Sequence, residues 1–571
     1  MTAQGISQIL VYVVVLVLLG YPLGIYMARV YNNDDFAQRG RFRWLGAIER
    51  AFFRALRVDG GREQDWKSYA KVTLIFSAIF SVFLYGMLRL QGHLFLNPDH
   101  LPAVPAHIAL NTTASFITNT NWQYYGGEYT MSYLSQMAGL AVQNFVSAAV
   151  GMAVLAAVVR GIARRSRNEI GNFWRDLYRS LVYVLLPLAV ILGVILISQG
   201  VVQTFHAHAT ATTVQGAHQT IARGPAASQI SIKQLGTNGG GYYNSNSAVP
   251  FENPNGISNF FELLAILLIP TGQVFMFGKM VGARRHASMV LAAMLVVFFI
   301  GVGINLPAEQ HGSAVLRSSG VNITQGSGQS GGNMADKEVR FGQAATTNWT
   351  VATSDASNGS VNGGFDAMTP AGGAVPLVNL FLGEVIFGGV GSGLYGMFFY
   401  IVIAVFIAGL MVGRTPEWLG KKIEAREIKY AAIGALFVPT MVLTMAAVAV
   451  VTPAGLASIF NPGAHGFTEA LYAYTSQSNN NGSAFAGYGA TSFSASFGTV
   501  ALYLGRWVPM ISALALGGAL AKKKITPASA GTFRTDGPTF VILLVSVIAL
   551  TAGLMILPAL SLGPIMEGLM H

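Results

Sequence analysis

Ten separate stretches of about twenty mostly apolar residues, spread over the whole chain, constrain the fold more than any other feature of the sequence. Hydrocarbon offers no partner for backbone N–H and C=O groups, so a lone segment of this length crosses a bilayer as a helix. The stretches run over 6–28, 70–91, 130–159, 177–200, 257–278, 287–306, 378–412, 430–452, 493–521 and 538–560. Only 10% of the 571 residues are Asp, Glu, Lys or Arg, where a soluble chain carries about 25%. That deficit excludes a disordered chain and almost any water-soluble enzyme. Cysteine is absent, which removes disulfides, thiolate zinc sites and thiol nucleophiles.

The net charge of +11 would suggest a polyanion partner in a soluble protein. Here the basic residues report topology, because loops on the cytoplasmic side collect Lys and Arg. Of 35 basic residues, 26 fall in alternate loops: nine in 29–69, five in 160–175, and the rest in the connections after the fifth, seventh and ninth stretches. The opposite loops hold five: Arg223, Lys233, Arg317, Lys337 and Arg340. Both termini are therefore expected outside. The first stretch lacks a basic run before it and has Arg29 after it, so it reads as a retained helix rather than a leader.

The outside connections are long: 92–129, 201–256, 307–377 and 453–492. Each contains a moderately apolar piece too short to span, followed by small and amide residues: 108–122, 227–244, 345–362 and 468–487. Such a segment is expected to be a re-entrant short helix ending in an irregular strand. Thr118, Asn119, Thr120 and Asn121 align by eye with Thr237, Asn238, Gly239 and Gly240, with Ser357, Asn358, Gly359 and Ser360, and with Asn480, Asn481, Gly482 and Ser483. The steps from Thr120 to Gly239, Gly359 and Gly482 are 119, 120 and 123 residues, an internal four-fold repeat.

Irregular backbone at membrane depth is tolerated only when buried in protein or lining a wet cavity. Rings of carbonyls replace the water shell of a monovalent cation, and glycine allows successive carbonyls to face one axis. The expected architecture is an all-α polytopic membrane protein of ten transmembrane helices. Four helix–pore-loop–helix repeats (70–159, 177–278, 287–412 and 430–521) surround a pseudo-four-fold axis. A first helix with a basic loop (1–69) and a last helix with an outer tail (538–571) are extra.

The runs TNTNWQ, LGTNGGGYYNSNSA, ASNGSVN and SQSNNNGSAFAG, in these four settings, resemble the filter loops of the potassium-binding, channel-like subunit of the bacterial Kdp potassium-uptake ATPase. That family is related to the Trk/Ktr/HKT transporters, and the resemblance covers essentially the whole chain. It implies a subunit of the bacterial inner membrane that selects K+ as transported ion and passes it to a P-type ATPase catalytic subunit. A single-span accessory subunit and a small stabilising subunit would complete the complex. It implies no organic cofactor and no nucleic acid partner. The sixteen aligned residues would line the filter, with Gln123 at its entrance. Thr120 in the glycine position is a departure from four-fold identity. The alternative is a self-contained Trk/Ktr-like K+ channel or ion-coupled transporter. An organic-solute transporter is more distant, since broken helices at the midplane are its usual device.

Two further features lie within spans. Arg506 interrupts the ninth, and an intramembrane arginine faces a cavity or a partner; the resemblance implies a position below the filter. The seventh stretch carries GGVGSGLYG, including Gly389, Gly391 and Gly393. By resemblance it forms a gating loop; the other reading is close helix packing through glycine. Asp99, Glu128 and Glu469 are candidates for a cation-favouring field at the mouth, or are ordinary loop acids. His206, His208 and His218 lie in a polar outer loop without cysteine and read as loop residues rather than a metal site. No aspartyl-phosphate signature or nucleotide motif occurs, so a pump of this kind would take its energy from another chain.

Overall fold

Asp65 opens the second membrane helix by accepting a hydrogen bond from Ser68 N at 3.1 Å. Reciprocal capping boxes start three others: Asn255 with Ser258, Glu424 with Glu427, and Thr491 with Ser494. Polar residues at the loop edge thus fix where each apolar run begins its helix. In this computed structural model, residues 3–32, 36, 43–326, 329–411, 413, 415–526 and 533–570 are described. Arg39, Arg41 and Arg414, counted with the basic loops, lie outside them.

Ten helices among the described residues are long and apolar enough to cross a membrane, and the chain is an all-α polytopic protein. They are Gln4–Asn32, Trp66–His93, Ser135–Ala163, Phe173–Ser198, Gly256–Met280, Arg284–Ser318, Ser392–Met411, Ala425–Val451, Ser492–Ala521 and Pro538–Leu562. The third and fourth contain π-helical turns at Ser135–Ala141 and Ser180–Leu185. The third is the most interior, with 94% of its apolar window buried against 33% for the first and tenth. Leu18, Val82 and Leu554 stand exposed on the first, second and tenth, where an acyl chain would cover them.

The first span packs on the fifth at very short range. A Cβ at Gly20 would lie 2.7 Å from Thr271, and one at Gly24 would lie 2.3 Å from Gly272 O. Glycines four apart let two backbones touch in this way.

The expected seventh span, 378–412, is not one helix. A short helix Pro370–Phe381 ends, residues 382–391 are non-helical, and the span proper is Ser392–Met411. The cause is backbone conformation. Gly383, Glu384, Phe387, Gly388 and Gly391 have φ of 79°, 53°, 63°, 68° and 88°, outside the right-handed helical region.

The basic loop after the first span contains an amphipathic helix, Arg43–Ala55, that periodic apolar runs of spanning length do not announce. Phe52 and Phe53 pack on Tyr178, and Glu49 pairs with Arg179 at 3.1 Å. A two-stranded hairpin, Ala209–Thr212 with His218–Ile221, forms part of the second outer connection.

Candidate functional site

Each of the four long connections carries one short helix that leads into the amide and glycine pattern: Ala106–Ile117, Ala226–Leu235, Gly342–Asp355 and Gly463–Asn479. The longest has 17 residues, which at a rise of about 1.5 Å per residue falls short of the roughly 30 Å hydrocarbon core. Each continues into an irregular segment made of the residues singled out by the amide and glycine pattern. Fifteen of those sixteen residues are buried, and Gly482 is half-buried.

The segments leave their helices by the same turn. Thr120 N donates to Ser115 O (2.8 Å), Asn238 N to Lys233 O (2.8 Å), Asn358 N to Thr353 O (3.4 Å) and Asn481 N to Ser476 O (2.9 Å). Each bond reaches back five residues, which fixes the register between segments. Left-handed φ follows that register at Asn119 and Asn121, Thr237 and Gly239, and Asn480 and Gly482, with Gly359 in the third segment.

This corrects the alignment by eye for the first segment. Thr120 matches Asn238, Asn358 and Asn481, and Asn121 stands in the glycine position with φ 56°. Asparagine is one of the few side-chain residues that tolerates this region. Thr118 therefore falls one place before the set, and Trp122 joins it opposite Gly240, Ser360 and Ser483.

Side-chain amides fasten each segment to a neighbouring segment or to the short helix that leads into it. Asn119 Nδ2 donates to Thr237 O at 2.9 Å, and Asn358 Nδ2 to Lys233 O at 3.2 Å. Asn481 Nδ2 donates to Thr353 O at 2.8 Å, and Asn480 Nδ2 to Thr120 Oγ1 at 3.0 Å. First touches second, second third, third fourth and fourth first, so the ring is closed.

Glycine is required where the ring is tightest. A Cβ at Gly239 would overlap Asn358 O at 1.5 Å; at Gly359 it would lie 2.2 Å from Asn481 O, and at Gly482 2.0 Å from Thr120 O. Each glycine thus abuts the carbonyl just before the matching position of the next segment. Asn121 has a Cβ there, and the next segment gives way: Gly240 replaces the Ser360 and Ser483 of its counterparts, and a Cβ on it would be 2.7 Å from Asn121 Cβ.

Gln123 bridges the first and second segments, donating to Gly241 O and accepting from Gly241 N, each at 3.0 Å. The non-helical turn 382–391 packs against the ring. Val390 N donates to Thr237 Oγ1 (2.8 Å), Gly388 N donates to Asp355 O (2.8 Å), and a Cβ at Gly389 would lie 2.7 Å from Ser357 Cβ. Gly391 and Gly393 make tight backbone contacts, with Gly151 O and Phe387 O respectively. The glycine run therefore breaks the helix and packs closely against its neighbours.

Arg506 is buried in the ninth span and lines a cavity of about 50 Å³ with Glu384, Asn479, Asn480 and Gly505. That volume admits at least one water molecule, which a buried guanidinium requires in place of bulk solvent. Glu384 went unseen in the sequence because a single acid beside a glycine run carries no spacing signal. It accepts from Ser357 Oγ, whose hydroxyl also lies 2.7 Å from Asn480 O. The buried Lys233, counted above as an outer-loop base, also escaped notice.

The acids considered for the mouth are engaged. Asp99 lies 3.6 Å from His208, Glu128 accepts from Asn244 N at 2.9 Å, and Glu469 is fully buried beside Asn461. Burial pushes the Glu128 and Glu469 carboxyls upward. His206, His208 and His218 do not converge as a ligand set; among the described residues, Asp366, His465 and Glu469 do. His465 itself bridges Asp366 and Glu567 through its two ring nitrogens.

A sequence profile described as potassium-transporting ATPase A subunit matches residues 10–569. Proteins named potassium-transporting ATPase potassium-binding subunit are similar over the whole chain. That of Sorangium cellulosum is 52% identical over 100% of this chain and 99% of its own length. That of Herpetosiphon aurantiacus is 52% identical over 100% of both, and that of Methylobacterium nodulans 51% identical over 100% and 98%. Among solved structures, the potassium transporter TrkH from Vibrio parahaemolyticus is similar with a TM-score of 0.51, covering 89% of this chain and 96% of that one. At 13% identity the likeness concerns the fold alone.

Proposed function

The chain belongs to the potassium-transporting ATPase A subunit family, and from that premise we propose that it binds and selects K+ for an ATP-driven uptake complex. K+ enters from the outer face, and main-chain oxygens of segments 119–122, 237–240, 357–360 and 480–483 replace its water shell. The observation that carries this reading is the closed ring of amide bonds, with Gly239, Gly359 and Gly482 each against a carbonyl of the next segment. A ring held from behind by side chains keeps its oxygens at a fixed spacing, which favours one ion size over another.

The chain supplies no chemistry on ATP; a P-type catalytic subunit of the same complex hydrolyses it, with a single-span accessory subunit and a small stabilising subunit alongside. Arg506 shares its cavity with Asn480 and the turn 382–391 touches Thr237 and Ser357, at the start of their segments, whereas Gln123 meets Gly241, past the end of the second. The buried positive charge of Arg506 opposes straight passage of a cation to the cytoplasm, so K+ leaves sideways toward the catalytic subunit. The complex lies in the bacterial inner membrane with both termini of this chain outside, as the basic loops support.

The test is reconstitution. The chain alone hydrolyses no ATP and does not catalyse K+ flux in liposomes, whereas the complex shows K+-stimulated hydrolysis. Hydrolysis by the isolated chain defeats the reading. K+ flux through it alone supports a self-contained Trk/Ktr-like transporter instead.

A further inference from the structure

A peptide plane with glycine on both sides rotates more freely than any other, and one such plane lies inside the ring, between Gly239 and Gly240. The third and fourth segments hold the matching plane from its N–H side. Ser360 N donates to Asn358 Oδ1 and Ser483 N to Asn481 Oδ1, each at 3.0 Å. In the second segment the Asn238 side chain lies instead against Ser147 at 3.1 Å. Among the described residues, Gly240 N–H makes no equivalent bond.

The plane is held from its carbonyl side. Asn246 Nδ2 donates to Gly239 O at 2.7 Å, and Asn246 Oδ1 accepts from the Lys233 ammonium at 2.6 Å. An ammonium has only donors, so it dictates which end of the amide faces it and turns the NH2 group toward Gly239. Lys233 is wholly buried, and its charge is paired with Glu252, also wholly buried. Its third contact is Ser247 Oγ at 3.1 Å. Glu252 accepts from Tyr243 N at 2.8 Å, tying the assembly back to the strand that follows Gly241. A buried ammonium persists only when paired and hydrogen-bonded, and here every proton has an acceptor.

We infer that Lys233 and Asn246 form a positioning strut that locks the Gly239 carbonyl, and that the ring's affinity for K+ depends on it. The inference rests on the reading of the ring as the K+ filter. Without the strut the Gly239–Gly240 plane is free to turn, and the spacing between neighbouring segments of the ring is no longer fixed there. The strut touches neither the cavity beside Arg506 nor the broken span, so turnover at saturating K+ does not depend on it.

The experiment measures K+-stimulated ATP hydrolysis of the whole complex for the wild type, Asn246→Asp, Lys233→Met and Gly239→Ser. Asn246→Asp is isosteric and keeps the acceptor for Lys233 while removing the donor to Gly239. Loss of one buried hydrogen bond corresponds to about a tenfold rise in the K+ concentration for half-stimulation, with maximal turnover retained. Lys233→Met gives a rise in the same direction. If Asn246→Asp does not assemble, Asn246→Ser, too short to reach Gly239, is read the same way. An unchanged K+ requirement in the Asn246 variant, with a raised one in Gly239→Ser, overturns the strut and leaves the filter standing. An unchanged requirement in both overturns the filter reading itself.

Discussion

Asn480 donates its side-chain amide to the hydroxyl of Thr120 at 3.0 Å, joining two residues 360 positions apart in the chain. This bond closes the ring between the last irregular segment and the first. Its consequence is mutual dependence: each segment's geometry is set by a neighbour from a different part of the chain, so one displaced segment disturbs the next.

The pairing of Asn121 with Gly240 is open to a compensation test. Gly240→Ser places a Cβ 2.7 Å from Asn121 Cβ, and overpacking of that kind costs about 1–3 kcal/mol. Asn121→Gly in the same chain removes the obstruction and gives the first two segments the pattern of the others. The double variant is expected to recover thermal stability and K+ dependence that Gly240→Ser loses, with a coupling of about 1 kcal/mol or more. Strictly additive effects of the two substitutions would refute the contact.

Arg506 gives a second prediction. Arg506→Gln keeps a polar group in the cavity but removes the charge that opposes cations. Liposomes carrying the variant complex are expected to leak K+ passively, while Arg506→Lys stays tight. Equal tightness of the wild type and the glutamine variant would show that the charge is not a barrier.

The outer cluster around His465 predicts a pH dependence. Hydrogen bonds from the ring to Asp366 and Glu567, at 3.2 and 3.0 Å, hold the imidazolium and push its pKa up from 6.5 to about 10. A group whose pKa is raised on folding stabilises fully below its unfolded value, and the effect is lost as pH rises through the folded value. The melting temperature of the wild type is therefore expected to decline between pH 6.5 and about 10. His465→Gln should show a weaker decline over that window. Parallel pH profiles for the two proteins would exclude the cluster as a source of stability.

The spans were legible because hydrophobic length is a local signal, and the short helices because an apolar run too short to cross stands beside amides. The break within 378–412 was legible in its glycine run, but hydropathy does not register backbone conformation, so its start at residue 382 was not. Glu384 and Phe387 take left-handed φ there although neither residue type favours it. The four segments were recognisable from composition, but the first was set one residue out of register. Asn121 does the work of a glycine, and what reveals this is the reach of Thr120 N to Ser115 O, a bond no alignment by letter contains. Lys233 and Asn246 stayed hidden for a similar reason: a lone lysine in an outer loop reads as solvated, and only the fold brings Glu252 against it.

Ion selection by these segments is tested most directly at Gly359, whose φ of 80° and contact with Asn481 O leave no place for a side chain. The most direct measurement is ATP hydrolysis by the purified complex as K+ is titrated against a Na+ background, for the wild type and Gly359→Ser. Forcing a side chain into left-handed backbone costs about 1–2 kcal/mol before any clash, so the K+ requirement is expected to rise about tenfold or more and discrimination against Na+ to fall. An assembled Gly359→Ser complex with the wild-type K+ requirement and the wild-type discrimination would contradict the assignment of these segments to ion selection.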